Sequence, residues 1–569
     1  MYDQSIVPRA TDGYHHPASE DDVIALVRHA VAHRLQIRVR GASHSTAWSI
    51  FTDPVDGFPA NHTLACDPPP GPNLDLVMDR MIDLVWIDEV KGIVEVGAGI
   101  HLGPDPYNPI GPSTPENSLL YQIYEKGWAV NDLGGITHQT VSGFSATGSA
   151  GGSLIYDFDN IVAFRVVDGR GDAAWIEQGD PIFDAMRVSV GLLGIVVRVR
   201  LQLVPMFDIY GQELTVQIDD PACPIDLTGP GDATRPSMAH FLTETPYSRV
   251  LWWPQRGAER LVIWQAIRQD SGKPSTIIPV PYQEFTPDLG GWVEQLLGYV
   301  FYTLLGNHGF AATVPKLRRG YARFAHCVAR MWAGRLGRPV AVFLANAIAG
   351  LIGVLLAIPT LVFLLAPGLL ARLFPTALNI FQPISKPGRP TLFQDHYWRS
   401  LCMDNTADDI LMGTEFTEIW VPIGRTEQCM KLLDAMFRQR GTQAIGWFST
   451  EVYSSTPSKA WLSPAYSDGG DEWRNGVARF DVFWFRGNAG EPQAAEGFFR
   501  QYWDLFRDAG VPFRFHWGKF VPSYDFPIWA EHYLQTLPRL NDFLALRAER
   551  DPQGVFFTGY WRERLTGRA

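Results

Sequence analysis

Cysteine is scarce and unpatterned. The five residues Cys66, Cys223, Cys327, Cys402 and Cys429 form no CxxC pair and are odd in number, which argues against a disulfide framework or a zinc site and for reduced surroundings. Charged residues make up only 19% against 46% hydrophobic, a balance that excludes general disorder. No basic start followed by an apolar stretch opens the chain, so no cleavable signal peptide is expected. No GxGxxG opens a helix after a first strand with an acidic residue downstream, so a Rossmann domain is not expected either.

The largest absence is of one charge sign. Between Glu294 and Asp395 there is no acidic residue, while Lys316, Arg318, Arg319, Arg323, Arg330, Arg335, Arg338, Arg372, Lys386 and Arg389 all fall there. That window carries +10 in a chain whose net charge is −12, which leaves −22 on the rest. The acidic body would repel nucleic acid, and no nucleic-acid partner is expected. The abrupt shift marks an inserted module with its own solvent. Within it, Val340 to Leu370 runs for 31 residues without a charge, long enough for a membrane span of about 20 apolar residues.

A single crossing would put the two halves of one fold on opposite sides of the bilayer. Pro359 therefore suggests a helical hairpin dipping in and out, or two short helices in one leaflet. Alternatively Trp292 to Leu305 supplies a partner span. The seven cations from Lys316 to Arg338 would then sit at an anionic, cytoplasmic surface. A buried hairpin within a soluble cap, or a dimer interface, is the alternative without lipid. The expectation is a membrane-associated protein whose catalytic part is cytoplasmic, with the lipid bilayer as a partner.

The 569 residues suggest two to four domains. Asp21 to Leu35 has helical apolar spacing, Gln36 to Arg40 alternates as a strand, and Leu74–Met78, Val85–Ile87 and Ile93–Val96 read as further short strands. Glycine then becomes dense, from Gly97-Ala-Gly99 through Gly134 to Gly152. Small residues let backbone N–H groups approach a ligand closely, and a diphosphate is the usual one.

Four segments recur in order: Arg40-Gly41-Ala42-Ser43-His44-Ser45; Val94 to Gly99; Asn131 to Gly152, with Gly134, Gly135, Thr140, Gly143, Thr147, Gly148 and Gly151; and Val166 to Gly169 with Gly191 to Ile195, including Gly194. This set resembles the FAD-binding domain of the vanillyl-alcohol oxidase superfamily. The resemblance implies an α+β fold, with a two-subdomain FAD-binding domain of PCMH type and an α+β substrate cap that carries the helical apolar insertion. It also implies that the residues just named, with Lys519, bind FAD, and that His44 bonds covalently to the flavin 8α-methyl. Ala150 departs from the family, which carries histidine in that loop, and this puts the substrate class in doubt. Gly134 aligns where a small residue opens a path for oxygen.

Toward the C-terminus, Thr414 to Pro422 alternates as a strand with Thr417 and Ile419 on one face and Glu418 and Trp420 on the other, and Asp481 to Phe485 is a second aromatic strand. Arg514-Phe-His-Trp-Gly-Lys519 puts three cations within six residues, which repel unless a carboxylate or a ligand answers them. Its spacing places Arg514 and His516 on one face, with Lys519 reachable after Gly518. The segment resembles the R-P-H-W-G-K motif of the aldonolactone oxidase and alditol oxidase family. That resemblance implies a hydroxyl held or deprotonated by Lys519 and His516 and oriented by Arg514 and Glu418. The family's proline is Phe515 here. The arginine of its E-x-R pair is Trp420, which cannot make the same bidentate contacts and so favours a less polar substrate than a free polyol. Arg539 to Arg547 and Asp551 to Phe556 resemble the family's ending.

The expected layout is an FAD-binding domain over 1–207, a cap over 208–290 and 395–530, the insertion over 291–394, and a return to the FAD domain over 531–569. The expected activity is that of an FAD-dependent oxidoreductase like D-arabinono-1,4-lactone oxidase, passing a hydride from a CH–OH group to oxygen or a membrane electron acceptor. Two alternatives stand beside it: an oxidase of a sterol or other lipophilic alcohol delivered from the membrane, and a non-catalytic flavin-binding membrane protein.

Overall fold

The first helix, α1 (Glu20–His33), starts where a capping box demands. Ser19 accepts from the Asp22 amide, Asp22 reaches back to the Ser19 backbone, and Glu20, Asp21 and Asp22 place negative charge at the helix's positive end. It ends at Arg34 in the left-handed region, φ 56°. The structure, a computed structural model, describes residues 6–58, 67–105, 113–157, 159–270, 272, 275–282, 292–306, 309–402, 413–486 and 493–568. Cys66 lies outside them, and the other four cysteines are buried and free.

Strands β1 (Ile37–Arg40) and β2 (Leu74–Val77) form a parallel pair beside α1. Val23, Leu26, Val27, Ile37, Leu74 and Leu76 make one core with Val555 and Phe556 from the far end of the chain. The next strands are β3 (Leu84–Asp88), β4 (Ile93–Gly97), β5 (Trp128–Ala129), β6 (Ile161–Val167), β7 (Ala173–Glu177), β8 (Ile195–Gln202) and β9 (Val204–Pro205). Of these, β3-β4-β8-β6-β7 form an antiparallel five-stranded sheet, and β5 pairs with β9. Between these strands, the short helix α2 (Val141–Ala146) starts at Thr140.

The rest of the body is one large sheet. Its strands are β10 (Asp208–Gln217), β11 (Tyr247–Trp253), β12 (Arg260–Gln269), β13 (Thr391–His396), β14 (Thr414–Pro422), β15 (Thr450–Ser455), β16 (Val477–Phe485) and β17 (Arg514–Phe515), in the order β13-β10-β12-β11-β15-β16-β14-β17. Alternation along β14 sorts its faces as expected. On one face, Thr417 accepts from Trp503 Nε1 at 3.0 Å, which seats α7 (Gln493–Asp508), while Glu418 and Trp420 face the other way.

The insertion leaves after β12 and returns in β13, which pairs with β10 in the same sheet. It consists of α3 (Trp292–Leu305), α4 (Phe310–Leu336), α5 (Arg338–Leu365) and α6 (Pro367–Phe381). Two expectations change here. The chain does not turn at Pro359, because α5 runs unbroken through it; the hairpin turns instead at Gly337, with φ 77°, between α4 and α5. Nor is Trp292–Leu305 a partner span. At 14 residues α3 is too short, and it is tied to the cap by Tyr302, whose hydroxyl donates to the Trp447 carbonyl at 3.0 Å.

Helices α4 and α5 pack along their length through small residues. Ala345 and Ala349 of α5 meet Leu317, Phe324 and Val328 of α4 in a core of the insertion's own. The opposite face of α5 is bare: Val354 is 72%, Ile358 76% and Leu365 77% exposed. Among the described residues, α5 is the one helix long and apolar enough to cross a membrane.

Candidate active site

Two adjoining cavities lie where the large sheet meets the glycine-rich segments. The smaller, ≈ 130 Å³, is lined by Arg40 to Ser45, Gly99, Thr140, Gly143, Thr147, Gly194 and Ile195, and by Trp517 to Lys519 from the large-sheet side. The larger, ≈ 330 Å³, is lined by Gly134, Gly135 and Ala150 on one side and by Phe416, Glu418, Arg479 and Asp481 on the other. His44, Gln139, Ser149, His516 and Lys519 line both, so they stand at the junction.

Close approach explains two of the glycines. A Cβ on Gly41 would lie 2.5 Å from Thr140 Oγ1, and one on Gly143 would lie 2.9 Å from the same atom, so the first loop and the start of α2 meet over Thr140 only because both are glycine. Gly518 does the same across the domain boundary. Its carbonyl accepts from the Thr46 amide at 2.9 Å, and a Cβ there would lie 3.0 Å from Ser45 Oγ. The turn carrying His516 and Lys519 is thereby held against the loop carrying His44.

The smaller cavity could hold an elongated, diphosphate-bearing cofactor. Arg40 is buried beside it. Its Nη1 donates to Ser43 Oγ at 2.6 Å and to the Gly41 carbonyl at 3.0 Å, and its Nε has no hydrogen-bond partner among the described residues. A buried guanidinium with a spare donor and no carboxylate partner among those residues suits an anion. His44 packs against His138, with ring centroids 4.3 Å apart and planes tilted by 46°.

The larger cavity carries its charge at this end. Arg479 Nη2 lies 2.6 Å from Glu418 Oε1, and its Nε donates to the same oxygen at 2.7 Å. Nη1 donates to the carbonyls of Ala150 and Gly151 at 2.8 and 2.9 Å, and Nη2 also donates to the Tyr453 hydroxyl at 2.6 Å. The guanidinium stacks between Tyr453 and Trp420, 3.8 and 4.4 Å from their ring centroids. Every donor nitrogen of Arg479 is therefore engaged within the protein, whereas Glu418 Oε2 takes no hydrogen bond from the described residues.

These contacts set the protonation states. Burial would raise the Glu418 carboxyl, but Arg479, helped by Lys519, holds the group ionised below the usual carboxylate range. Asp481 and Glu451 go the other way: burial and the neighbouring carboxylates push both upward, Asp481 well upward. Burial pulls His516 down to about 3 against the upward pull of Glu418, and Lys519 and Arg479 push in the same direction as burial. The Gly518 amide donates to His516 Nδ1 at 3.1 Å, so the neutral ring carries its proton on Nε2, which stands 3.5 Å from Ser149 Oγ. Lys519 Nζ sits 3.8 Å from the Phe416 ring centroid.

Glu418, His516 and Lys519 therefore come together, but Arg514 does not join them. The strand stops at Phe515, so His516 leaves the face that alternation would give it. The Arg514 guanidinium instead donates to the carbonyls of Thr536 (2.6 Å), Tyr466 (2.6 Å) and Pro464 (3.3 Å) and lies over Trp473. Gly148 and Gly151 line neither cavity. Gly148 turns with φ +71° against Val188 and Pro464, and Gly151 is small because a Cβ would lie 2.0 Å from an Asp132 carboxylate oxygen. Sequence reasoning missed Arg479. No local signal marked it: only the register of β14 against β16 places it directly opposite Trp420. It also missed Trp561 in the smaller cavity, which arrives from the C-terminal helix and donates to the Ser49 carbonyl at 3.0 Å.

The chain is similar to known proteins in sequence and in fold. Residues 394–564 match a family model described as D-arabinono-1,4-lactone oxidase. A D-arabinono-1,4-lactone oxidase of Eremothecium gossypii is 24% identical over 264 residues, covering 45% of this chain and 40% of that protein. An L-gulono-1,4-lactone dehydrogenase of Mycobacterium tuberculosis is 26% identical over 197 residues, 34% of this chain and 38% of that one. The matches thus span less than half of either relative. Among solved structures, cholesterol oxidase from Brevibacterium sterolicum superposes with a TM-score of 0.62 at 14% identity, covering 97% of this chain and 93% of that one. The fold is the PCMH-type domain with an α+β cap that the sequence implied, and the likeness to the aldonolactone oxidase family is real.

Proposed function

We propose that this chain, a relative of the D-arabinono-1,4-lactone oxidases across the segment that carries Glu418, Arg479, His516 and Lys519, is an FAD-dependent oxidoreductase acting on a CH–OH group. The single observation that carries the reading is the junction: the ionised Glu418, the neutral His516 and Lys519 line the larger cavity where it adjoins the glycine-walled one.

Residues 1–207 with the C-terminal return over 531–569 would hold FAD, and 208–290 with 395–530 would cap it. Arg40, Gly41 to Ser45, Gly99, Thr140, Gly143, Thr147, Gly194 and Ile195 would hold the diphosphate and ribityl portions. His44, at the junction, would bond to the flavin. When bound, the flavin supplies the two-electron acceptor for a hydride leaving the substrate carbon. Glu418 Oε2 would take the proton from the substrate hydroxyl, while Lys519 and the His516 Nε2–H stabilise the oxygen as it gains negative charge. The C–H and O–H bonds break and a C=O bond forms. Oxygen or a membrane acceptor then takes the electrons. Gly134 lines the larger cavity, and the absence of a side chain there would favour oxygen.

The insertion would seat the enzyme on a membrane without crossing it. Helix α4 carries Lys316, Arg318, Arg319, Arg323, Arg330 and Arg335, and it packs along α5. A crossing by α5 would drag those charges into hydrocarbon at about 2.5–3.5 kcal/mol each. Lying flat, α5 buries its bare face while the cations meet anionic headgroups.

Anaerobic mixing with D-arabinono-1,4-lactone tests the activity. Bleaching of the flavin absorbance that is lost in Lys519→Ala is the expected result. Equal bleaching in that variant would remove Lys519 from the mechanism, and no bleaching by any lactone, alditol or sterol would leave the non-catalytic reading.

A further inference from the structure

The charged groups of the larger cavity gather at one end. Away from Glu418, His516 and Lys519 much of its wall comes from the insertion and is mostly apolar: Phe301 and Tyr302 of α3, and Phe374, Ala377, Leu378 and Phe381 of α6, with the amides of Gln295 and Gln382 among them. The one hydroxyl in that set, on Tyr302, is spent on the Trp447 carbonyl. At the polar end Arg479 has no donor left for a ligand, because Glu418, Tyr453, Ala150 and Gly151 take them all. A molecule with a hydroxyl on every carbon would have to strip several of them of water against hydrocarbon, each at a cost of about 1–3 kcal/mol.

Helix α6 is apolar on both sides. Phe374 and Leu378 are buried and line the cavity, while Leu369, Leu373 and Ile380 are 41%, 39% and 75% exposed. On α5, the helix before it in the chain, Leu361 and Leu365 are also exposed. A single helix therefore separates the cavity from the surface placed against lipid. At the cavity wall the residues on α3 and α6 include the small pair Gly298 and Ala377.

We infer that the enzyme's substrate carries an apolar tail. Its oxidisable CH–OH head sits at the Glu418 end, the tail lies between α3 and α6, and the molecule enters from the bilayer side. The inference rests on the oxidoreductase reading above and names the preferred substrate class of that same site: a lipid-soluble alcohol or lactone, with a free sugar lactone as the weaker substrate.

The test uses the flavin-loaded full chain held in amphipol. D-Arabinono-1,4-lactone is compared with its 5-O-octyl ether by anaerobic flavin bleaching, in the wild type and in Ala377→Trp and the milder Ala377→Leu. The octyl ether is expected to bleach the wild type at a concentration at least about tenfold lower, as burial of several methylenes requires, and to lose that advantage in both variants. Bleaching at equal concentrations, or an advantage kept in both variants, overturns the inference. If neither compound bleaches the flavin, the choice of reaction has failed, and the tail site is judged by cis-parinaric acid fluorescence. Saturable binding that weakens in both variants upholds the site, and absent or unchanged binding overturns it.

Discussion

Arg479 Nη2 lies 2.6 Å from Glu418 Oε1, and the two side chains reach each other diagonally across β14 and β16, where Arg479 directly faces Trp420. The strand next to β14 thus supplies the arginine that meets Glu418, and its guanidinium lies over the Trp420 ring, 4.4 Å from the centroid. It acts as a positioning residue. It fixes Glu418 and, through the carbonyls of Ala150 and Gly151, ties the cap to the glycine-rich loop.

Removing it leaves a buried carboxylate without its counter-charge. Arg479→Met should destabilise the protein by about 3–5 kcal/mol in chemical denaturation. It should also raise the Glu418 carboxyl, so that a new acid limb enters the pH profile of flavin reduction. Glu418→Gln should lower the reduction rate without creating that limb. A profile for Arg479→Met matching the wild type would show that the pair does not set the charge of Glu418.

His44→Ala should yield protein whose flavin is released on denaturation in acid, while the wild type keeps its flavin through the same treatment. Flavin fluorescence of the precipitate and the supernatant reads the difference. Flavin that stays attached in the variant would place the bond on another residue.

His516 gives a prediction on acid stability. Its folded value of about 3 lies below the ordinary 6.5, so between those two pH values the unfolded chain binds a proton that the folded chain does not. Stability should therefore fall as the pH drops from about 6.5 toward 3, by on the order of a few kcal/mol, and His516→Gln should flatten that fall. Since the ring is neutral throughout this range, kcat/KM should show no inflection near 6.5 that disappears in His516→Gln.

Arg514 is expected to behave as a structural residue. Its three carbonyl acceptors and its stacking on Trp473 predict that Arg514→Lys lowers the melting temperature while leaving the KM for substrate close to wild type. A raised KM with unchanged melting would return Arg514 to the substrate's side.

Membrane seating should depend on salt. The protein should float with vesicles containing anionic lipid and detach as ionic strength rises, and Arg318→Glu combined with Arg319→Glu should weaken flotation on those vesicles more than on neutral ones. Retention in the soluble fraction with every vesicle type would reject the membrane reading.

Some of this was fixed by local sequence. The capping box at Ser19, the alternation along Thr414–Pro422 and the ordered glycine segments each depend on neighbours a few residues apart, so the helix, the strand faces and the loops of the smaller cavity were legible before any fold was known. The acid-free window likewise announced the insertion by composition alone.

Long-range register decided the rest. Whether Arg514 or Arg479 serves Glu418 turns on where β17 stops and on which residue of β16 pairs with Trp420, and neither is a local property. Whether Pro359 or Gly337 reverses the apolar segment depends on α4 packing along α5, which favours one long straight helix. That Phe374 and Leu378 wall the same cavity as Glu418 required β13 to return beside β10 and bring the insertion back onto the sheet. Patterning by itself determined the elements and the chemistry each could offer, while the pairing of strands far apart in the chain decided which side chains share a site.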